Sequence, residues 1–158
     1  FGAIFRLDFY QKNEIFKILK RTALILEMNV QDDALTEIAG RSRGTPRIAN
    51  RVLKRVRDFA QVKNVKEISL EDARSSLDSI GIDENGLENM DRKILKNLIV
   101  NYNGGPTGGK SLAISINEDI QTIEDVYEPY LIKEGFIERT SRGRIATDKA
   151  YALFDLKK

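Results

Sequence analysis

The sequence contains no cysteine, no histidine and no tryptophan among its 158 residues. Without cysteine, the chain forms no disulfide, no thiolate metal site and no cysteine nucleophile, and such a composition suits a reducing cytoplasm. Without histidine, it has no Ser-His-Asp triad, no histidine-ligated metal and no histidine general base. No apolar run approaches the roughly 20 residues of a membrane span, and no signal peptide precedes the first helical segment. We therefore expect a cytoplasmic protein.

The chain also has little net charge and an unusual first residue. A net charge of +2 is too small to indicate a partner, whereas an apolar fraction of 41% is enough to build a packed core. Phe1 stands where a complete protein would begin with methionine. We therefore expect a piece of a longer protein.

The first half of the sequence predicts a helical bundle. Apolar residues recur every three or four positions, which is the helical period. Asp32, Thr45 and Ser69 are suitable N-caps, and Pro46 occupies the favoured first helical position after Thr45. The pattern predicts four helices, over residues 11–27, from 32 to 39, from 45 to about 62 and from 69 to 80. We predict that residues 1–81 form one helical domain.

The second half predicts a different domain, over residues 82–158. Its first residues, IDENGLEN at 82–89, are polar and turn-rich, so we place the boundary there. Helices are predicted from Asp91 to near residue 101, over 111–116 and over 121–134, where Pro129 predicts a bend or a break. FIER and RIAT flank TSRG and predict a hairpin, and Thr147 caps a last helix. Helices followed by a basic hairpin are typical of a winged helix, so the predicted fold class is mainly α.

The stretch GGPTGGKS, residues 104–111, fits the phosphate-loop pattern G-x-x-x-x-G-K-[ST]. A phosphate loop follows a buried strand and begins a long helix, whose N–H groups then face the phosphates. The preceding DRKILKNLIVNYN has helical spacing, and the following LAISIN is too short to be that helix. We therefore predict a turn between two helices of the winged domain.

The basic run RSRGTPRIANRVLKRVRDFAQVKNVK, residues 41–66, is the strongest charge feature. Arg47, Arg51 and Arg55 are four residues apart and share one helix face. Arg47 also lies in the first turn, where the helix dipole favours an anion, so it is a candidate phosphate ligand. A solvated basic face is the alternative, and the acidic stretch 67–91 could pair with part of the run.

A second charge pattern divides the predicted winged domain. Its predicted reading helix carries Glu124, Asp125 and Glu128, which disfavour phosphate approach and base reading. The predicted hairpin carries three arginines, Arg139, Arg142 and Arg144. This arrangement favours contact of the hairpin with the DNA backbone over base-specific recognition, although an ordinary solvated hairpin tip is the alternative.

Several long segments resemble one known family. GRSRGTPRIANRVLKRVRDFAQV, FGAIFRLDFY, TIEDVYEPYLIKEGFIERTSRGRIAT and the GGPTGG turn resemble the RuvB family, the bacterial AAA+ ATPases that drive Holliday-junction branch migration. The resemblance covers essentially all 158 residues in order. It implies an AAA+ lid domain followed by a DNA-binding winged helix, without the N-terminal ATPase domain that holds the phosphate loop and the magnesium-binding acid.

The resemblance also implies roles for individual residues. Gly44-Thr45-Pro46-Arg47 matches the sensor-2 motif, in which Arg47 touches the phosphates of ATP or ADP. Tyr10 matches a residue that lines the adenine nucleotide, and Arg6 matches the arginine finger offered to a neighbouring subunit. Arg139 and Arg144 match DNA contacts that flank the wing, with Arg142 between them at the tip. Ile120, where the family often has a DNA-contacting arginine, and Lys110, in the glycine-rich turn, depart from the family pattern.

The resemblance implies an ATP-dependent helicase or translocase of recombination, DNA repair and the SOS response. Its expected partners are duplex or four-way-junction DNA, five further copies in a homohexamer, RuvA and RuvC, and its cofactor is ATP or ADP with Mg²⁺ bound in the missing domain. Two alternatives share the architecture. One is a winged-helix transcription regulator, which would carry a basic recognition helix. The other is the lid and winged domain of an AAA+ initiator or clamp loader.

Overall fold

The computed structural model describes residues 9–157, which divide into two compact units between Leu87 and Glu88. In its described part the first unit contains α1 (Lys12–Ile25), α2 (Asp32–Gly40), α3 (Pro46–Val62) and α4 (Leu70–Ser79). The second contains α5 (Asn89–Tyr102), α6 (Gly109–Ile116), α7 (Ile120–Thr122), a π-helical turn (Ile123–Tyr127), α8 (Glu128–Lys133), β1 (Ile137–Thr140), β2 (Gly143–Ala146) and α9 (Asp148–Ala152). The mainly helical fold class predicted from the sequence is confirmed.

The strongest predicted helix starts are correct. Ser69 caps α4 in a reciprocal capping box, because its hydroxyl accepts from the Asp72 N–H while the Asp72 carboxylate accepts from the Ser69 N–H. Thr147 likewise caps α9 through its hydroxyl. Thr45 occupies the N-cap of α3 with Pro46 next to it, but the Thr45 side chain makes no capping hydrogen bond. At α3 the start therefore rests on Pro46, whose fixed φ suits the first helical position.

Helices α2, α5 and α6 start one or two residues away from their predicted positions. Helix α2 begins at Asp32 itself, with Gln31 as its N-cap. Helix α5 begins at Asn89, because the Asp91 carboxylate lies at the third helical position and accepts from the Glu88 N–H at 2.7 Å. Helix α6 begins at Gly109 rather than at Ser111. In each case a polar residue in the first turn indicated that a helix begins nearby, but which residue is the N-cap depends on the local backbone geometry.

The four helices of the first unit pack around a single apolar core. Helix α1 packs against α2 and α3, and α4 packs against the same two helices. The α1–α2 loop and the α3–α4 loop are also joined, because Val30 and Ile68 form a parallel bridge. In this bridge the Ile68 N–H donates to the Asn29 carbonyl, and the Ile68 carbonyl accepts from the Gln31 N–H. The fully buried side chains that fill this core include Ile15, Leu19, Leu35, Ile38, Leu53 and Leu77.

One buried hydroxyl in this core has no partner, and it gives a stability prediction. The Ser76 side chain is 0% exposed in α4, and its Oγ makes no hydrogen bond within the described residues. Burying such a hydroxyl costs about 1–3 kcal/mol. We expect Ser76→Ala to raise the free energy of unfolding by about 1 kcal/mol, measured by urea denaturation. Ser75→Ala, at the neighbouring exposed position, reports the gain from helix propensity alone, and an equal gain in both variants would contradict the interpretation.

The second unit has the architecture of a winged helix. Helix α5 packs against α6 and β2, α8 packs against β1, and α9 packs against β2. Strands β1 and β2 form an antiparallel hairpin in which Arg139 lies opposite Arg144 and Thr140 lies opposite Gly143. The α5–α6 loop adds a third, short strand position, because Thr107 and Arg144 form an antiparallel bridge with hydrogen bonds of 3.0 and 2.9 Å. The hairpin predicted from FIER, TSRG and RIAT is confirmed.

Pro129 lies in the helical segment from Ile120 to Lys133, where the sequence predicts a bend or a break. The segment does not break, but it contains a π-helical turn at Ile123–Tyr127, immediately before α8. Proline has no N–H with which to continue the regular ladder, and a wider turn accommodates the unpaired carbonyl. Glu124 lies within this π-helical turn, and Glu128 follows it directly.

Candidate functional site

The N-terminus of α3 presents Arg47 to solvent. Arg47 is the second residue of the helix, and within residues 9–157 its side chain has neither a hydrogen bond nor an ion pair. Arg51 and Arg55, one and two turns further along, are exposed on the same face. The free N–H groups of the first turn and the helix dipole add to the charge of Arg47. This end of α3 can therefore receive an anion.

The loop before α3 contains two arginines that are buried. Arg41 donates to the Glu37 carboxylate at 2.7 Å, to Asp78 at 3.2 Å and to the Ile82 carbonyl at 3.0 Å. Arg43 donates to the Gly86 carbonyl at 3.0 Å and has a left-handed φ of 56°. In the sequence these two residues are part of the basic run 41–66, and the phosphate role was predicted for Arg47 alone. They tie the start of α3 to the last segment of the first unit.

The sequence contains only a weak indication that Arg41 and Arg43 are buried and paired. Glu37 and Arg41 are four residues apart on α2 and its C-cap, a spacing that favours an ion pair. The distant acceptors Asp78, Ile82 and Gly86 come from tertiary packing, which no local pattern in the sequence records. The expectation that acidic residues after position 66 absorb part of the basic run is confirmed for the Arg41–Asp78 pair.

The ion pair between Glu37 and Arg41 should contribute to stability in a pH-dependent way. Burial raises the pKa of Glu37, but hydrogen bonds from Arg41 and then Arg74 outweigh it, so the pKa lies below its ordinary value. A lowered native pKa adds stability above the unfolded-state pKa, and this stability is lost as the pH falls through the native value. We expect Glu37→Gln to be less stable than the wild type at pH 7, with the difference narrowing below about pH 4. Urea denaturation at pH 7 and pH 3 measures this, with exposed Glu84→Gln as the control. A difference that stays constant with pH would contradict it.

Tyr10 lies beside the same loop. Its backbone N–H donates to the Gly44 carbonyl at 2.9 Å, and the residue is 47% exposed. The structure therefore places Tyr10 beside the loop that leads into α3. Arg6, the predicted arginine finger, lies outside the described residues.

The wing places its three arginines in three different environments. Arg142 lies at the hairpin turn, exposed, and within residues 9–157 its side chain has no ion pair or hydrogen bond. The turn beneath it is fixed, since the Thr140 hydroxyl donates to Gly143 at 2.9 Å and accepts from the Arg142 N–H at 3.2 Å. The Arg139 side chain is 54% exposed, with longer ion pairs to Glu124 at 3.4 Å and Glu128 at 3.7 Å.

Arg144 is buried, and it pairs with the carboxylates of the neighbouring helix. Its Nε donates to Glu128 and its Nη2 donates to Glu124, both at 2.5 Å. The hydrogen bond from Arg144 to Glu128 outweighs desolvation and raises the pKa of the guanidinium above its ordinary value. From the sequence alone, Glu124 and Glu128 were expected to disfavour the approach of phosphate. In the structure these two carboxylates form ion pairs with Arg139 and Arg144 of the wing.

The glycine-rich turn is not a phosphate loop, as predicted. It follows helix α5 rather than a strand, and α6 has only eight residues. Its glycines permit close packing against β2. A Cβ on Gly105 would lie 2.2 Å from the Arg144 carbonyl oxygen, and a Cβ on Gly109 would lie 2.6 Å from the Arg144 guanidinium. The loop therefore requires glycine at position 105, where the neighbour is backbone, whereas a side chain at position 109 would displace the Arg144 guanidinium.

Comparison with known proteins matches both units to one family. The RuvB AAA lid domain matches residues 10–83, and the RuvB C-terminal winged helix domain matches residues 84–155. The chain belongs to the RuvB family. The resemblance stated from the sequence is thereby confirmed, and with it the lid and winged-helix fold.

Individual RuvB proteins are similar to this chain along almost its whole length. The Holliday junction branch migration complex subunit RuvB of Fusobacterium nucleatum is 49% identical over 154 residues, which cover 98% of this chain and 46% of the relative. The corresponding subunit of Chlorobaculum parvum is 54% identical, over 98% of this chain and 45% of the relative. The solved Thermotoga maritima RuvB Holliday junction branch migration motor has a TM-score of 0.96 at 45% identity, covering 100% of this chain and 53% of that chain. The RuvB-family chain therefore spans about half the length of these relatives.

Two negative observations complete the description of residues 9–157. None of their helices is both long enough and apolar enough to cross a membrane. No three of their acidic side chains are grouped so that they could hold a metal ion.

Proposed function

We propose that this chain is the C-terminal part of a bacterial, ATP-driven motor that migrates Holliday junctions in recombination and DNA repair. Its first unit acts as the AAA+ lid that senses nucleotide, and its second unit grips duplex DNA. The family match through both units supports the proposal. The observation that carries it is Arg47, a guanidinium at a helix N-terminus that has no ion pair within residues 9–157, in the unit that matches a RuvB lid.

The nucleotide would be ATP or ADP, held against the loop that joins α2 and α3. Arg47 would bind the phosphates, Tyr10 would line the base, and Arg6 would act as an arginine finger toward the neighbouring subunit. Buried Arg41 and Arg43 fix the loop from which α3 begins. The described residues do not fit Mg²⁺, because they offer no cluster of acidic ligands. The metal ligands would therefore come from the ATPase domain of the longer protein.

The assembly would be a homohexamer in the bacterial cytoplasm, with RuvA and RuvC as partners at the junction and expression within the SOS response. The longer protein would be the ATP-dependent helicase or translocase. This chain alone should not turn over ATP, since GGPTGGKS lies between two helices and packs on the wing.

The DNA contact would be made by the wing to the phosphate backbone. Arg142 is exposed at the turn without an ion pair in the described part, and Arg139 is half-exposed at the edge of the hairpin. That Arg144 contacts DNA directly stays a prediction, and it would require its two short ion pairs to open. Ile120 lies at the start of α7, where the family pattern often has arginine, so this position would supply no charge to the DNA backbone.

A winged-helix transcription regulator is the second candidate, and the charge on its reading helix disfavours it. The exposed positions of the segment 120–128 include Gln121, Asp125 and Val126, and none of these carries positive charge. A base-reading helix normally combines phosphate contacts with bidentate donors to base edges. The architecture therefore suits backbone contact better than base recognition.

Duplex binding by the purified chain distinguishes these two functions. We expect similar Kd values for unrelated duplexes, and we expect Arg142→Ala to weaken binding to all of them by about tenfold while lowering the salt slope by about one. Fluorescence anisotropy across a salt series gives both quantities. Lys157→Ala, an exposed cation outside the wing, is the charge-matched control. Affinities that depend strongly on the DNA sequence would instead support the regulator.

A further inference from the structure

Lys110 is an exposed lysine whose charge the fold of the winged unit does not use. It is the only charged residue of α6, which has the sequence GKSLAISI. Within residues 9–157 its side chain makes neither an ion pair nor a hydrogen bond. It is also the second residue of the helix, where the helix dipole disfavours a positive charge. Its internal contacts therefore do not account for a cation at this position.

The start of α6 lies beside the base of the wing. Thr107 and Arg144 form an antiparallel bridge, so the residues that follow Thr107 run alongside those that precede Arg144, toward the hairpin turn. The approach is close, because a Cβ on Gly109 would lie 2.6 Å from the guanidinium nitrogen Nη1 of Arg144. Lys110 therefore extends into solvent from a backbone that packs directly against the wing.

The charges around this position favour an anion. Arg142 is exposed at the hairpin turn, and the Arg139 side chain is 54% exposed. The nearby carboxylates of Glu124 and Glu128 are only 28% and 2% exposed, and both pair with arginines of the wing. We propose that Lys110 binds a phosphate of the DNA backbone next to those bound by the wing. The start of α6 and the hairpin then form one basic surface. This inference rests on the proposed grip of DNA by the wing.

A DNA contact and a structural role predict different effects of removing this lysine. Lys110→Ala should weaken duplex binding about three- to tenfold and lower the salt slope by about one. Its melting temperature should equal or exceed that of the wild type, because an unfavourable charge leaves the first turn of α6. Lys110→Arg should keep the affinity within about threefold, and Lys110→Glu should weaken binding more than Lys110→Ala does. Anisotropy across a salt series gives Kd, and circular dichroism gives the melting temperature.

Lys96→Ala is the matched control for these variants. Lys96 is an exposed lysine of α5 without an ion pair in the described part of the chain. Its neighbour Asn97 accepts a hydrogen bond at 2.7 Å from the Ser115 hydroxyl, in the last turn of α6. Lys96 therefore lies toward the opposite end of α6 from Lys110. Its removal changes the net charge equally and should leave the affinity close to that of the wild type.

Cross-linking gives a second readout, which depends on distance rather than on charge. Because the chain has no cysteine, one introduced cysteine carries a photoreactive group at a single site. Lys110→Cys should cross-link to bound duplex, as should Ser141→Cys at the hairpin turn, whereas Lys96→Cys should not. Lys110→Ala binding as tightly as Lys96→Ala, or no cross-link from position 110, would overturn the contact and leave the grip of the wing intact. Wild-type affinity in Arg142→Ala would instead contradict the proposed function.

Discussion

Replacing Glu128 with alanine should destabilise the winged unit by about 3–5 kcal/mol, the largest stability effect expected in this chain. The carboxylate is almost completely buried and receives two hydrogen bonds from Arg144, at 2.5 and 3.1 Å. Its removal leaves a buried guanidinium with Glu124 as its remaining carboxylate partner. The buried guanidinium is then only partly compensated, so its desolvation adds to the loss of the contacts with Glu128.

Thermal and urea denaturation of the purified chain measure this loss. The matched control is Glu138→Ala, which removes the same side chain from an exposed position on β1, and it should change stability by less than about 0.5 kcal/mol. Because the chain folds as two units, the unfolding of the second unit is followed by a probe within it, such as the fluorescence of Tyr130 and Tyr151. Equal stability of the two variants would mean that the Glu128–Arg144 pair contributes no more than a surface pair.

Replacing Arg47 with alanine should lower ATP turnover of the longer motor protein by about a hundredfold or more. A guanidinium at a helix N-terminus stabilises charge on the phosphates, and no ion pair among residues 9–157 competes for Arg47. Loss of this group should lower kcat more than it raises KM, since the developing charge is greatest in the transition state.

Steady-state ATPase assays with the intact protein test this effect, with Arg55→Ala as the control. Arg55 is exposed on the same face of α3, two turns further from the helix start, so its removal changes the net charge equally. Arg55→Ala should keep turnover within about threefold of the wild type. Similar turnover in the two variants would place the phosphates away from the start of α3.

Much of the fold follows from local sequence signals. Thr45-Pro46, Ser69 and Thr147 mark helix starts because each satisfies or avoids free N–H groups within its own first turn. The hairpin followed from FIER and RIAT on either side of the glycine-containing TSRG. Pro129 indicated an irregular helix because proline has no backbone N–H to donate to the helical hydrogen-bond ladder. These features depend on neighbours a few residues away, which a sequence displays directly.

The environments of the arginines could not be predicted in the same way. Arg41, Arg43, Arg47 and Arg144 look alike in a charge pattern, yet only Arg47 is exposed. Whether a guanidinium is buried depends on acceptors distant in sequence, such as Ile82 for Arg41 and Glu128 for Arg144. The glycines of GGPTGG did indicate that another part of the chain packs closely against this turn. The sequence alone did not show that this neighbour is Arg144.

Junction migration by the intact protein tests the central claim most directly, because it requires both polyanion sites at once. A labelled four-way junction is incubated with ATP and the assembled motor, and the rate at which its arms exchange is measured. The account predicts that Arg47→Ala and Arg142→Ala each reduce this rate at least tenfold, whereas Arg55→Ala retains it. Wild-type rates in both the Arg47 and the Arg142 variants would contradict the assignment of nucleotide to the lid and of DNA to the wing.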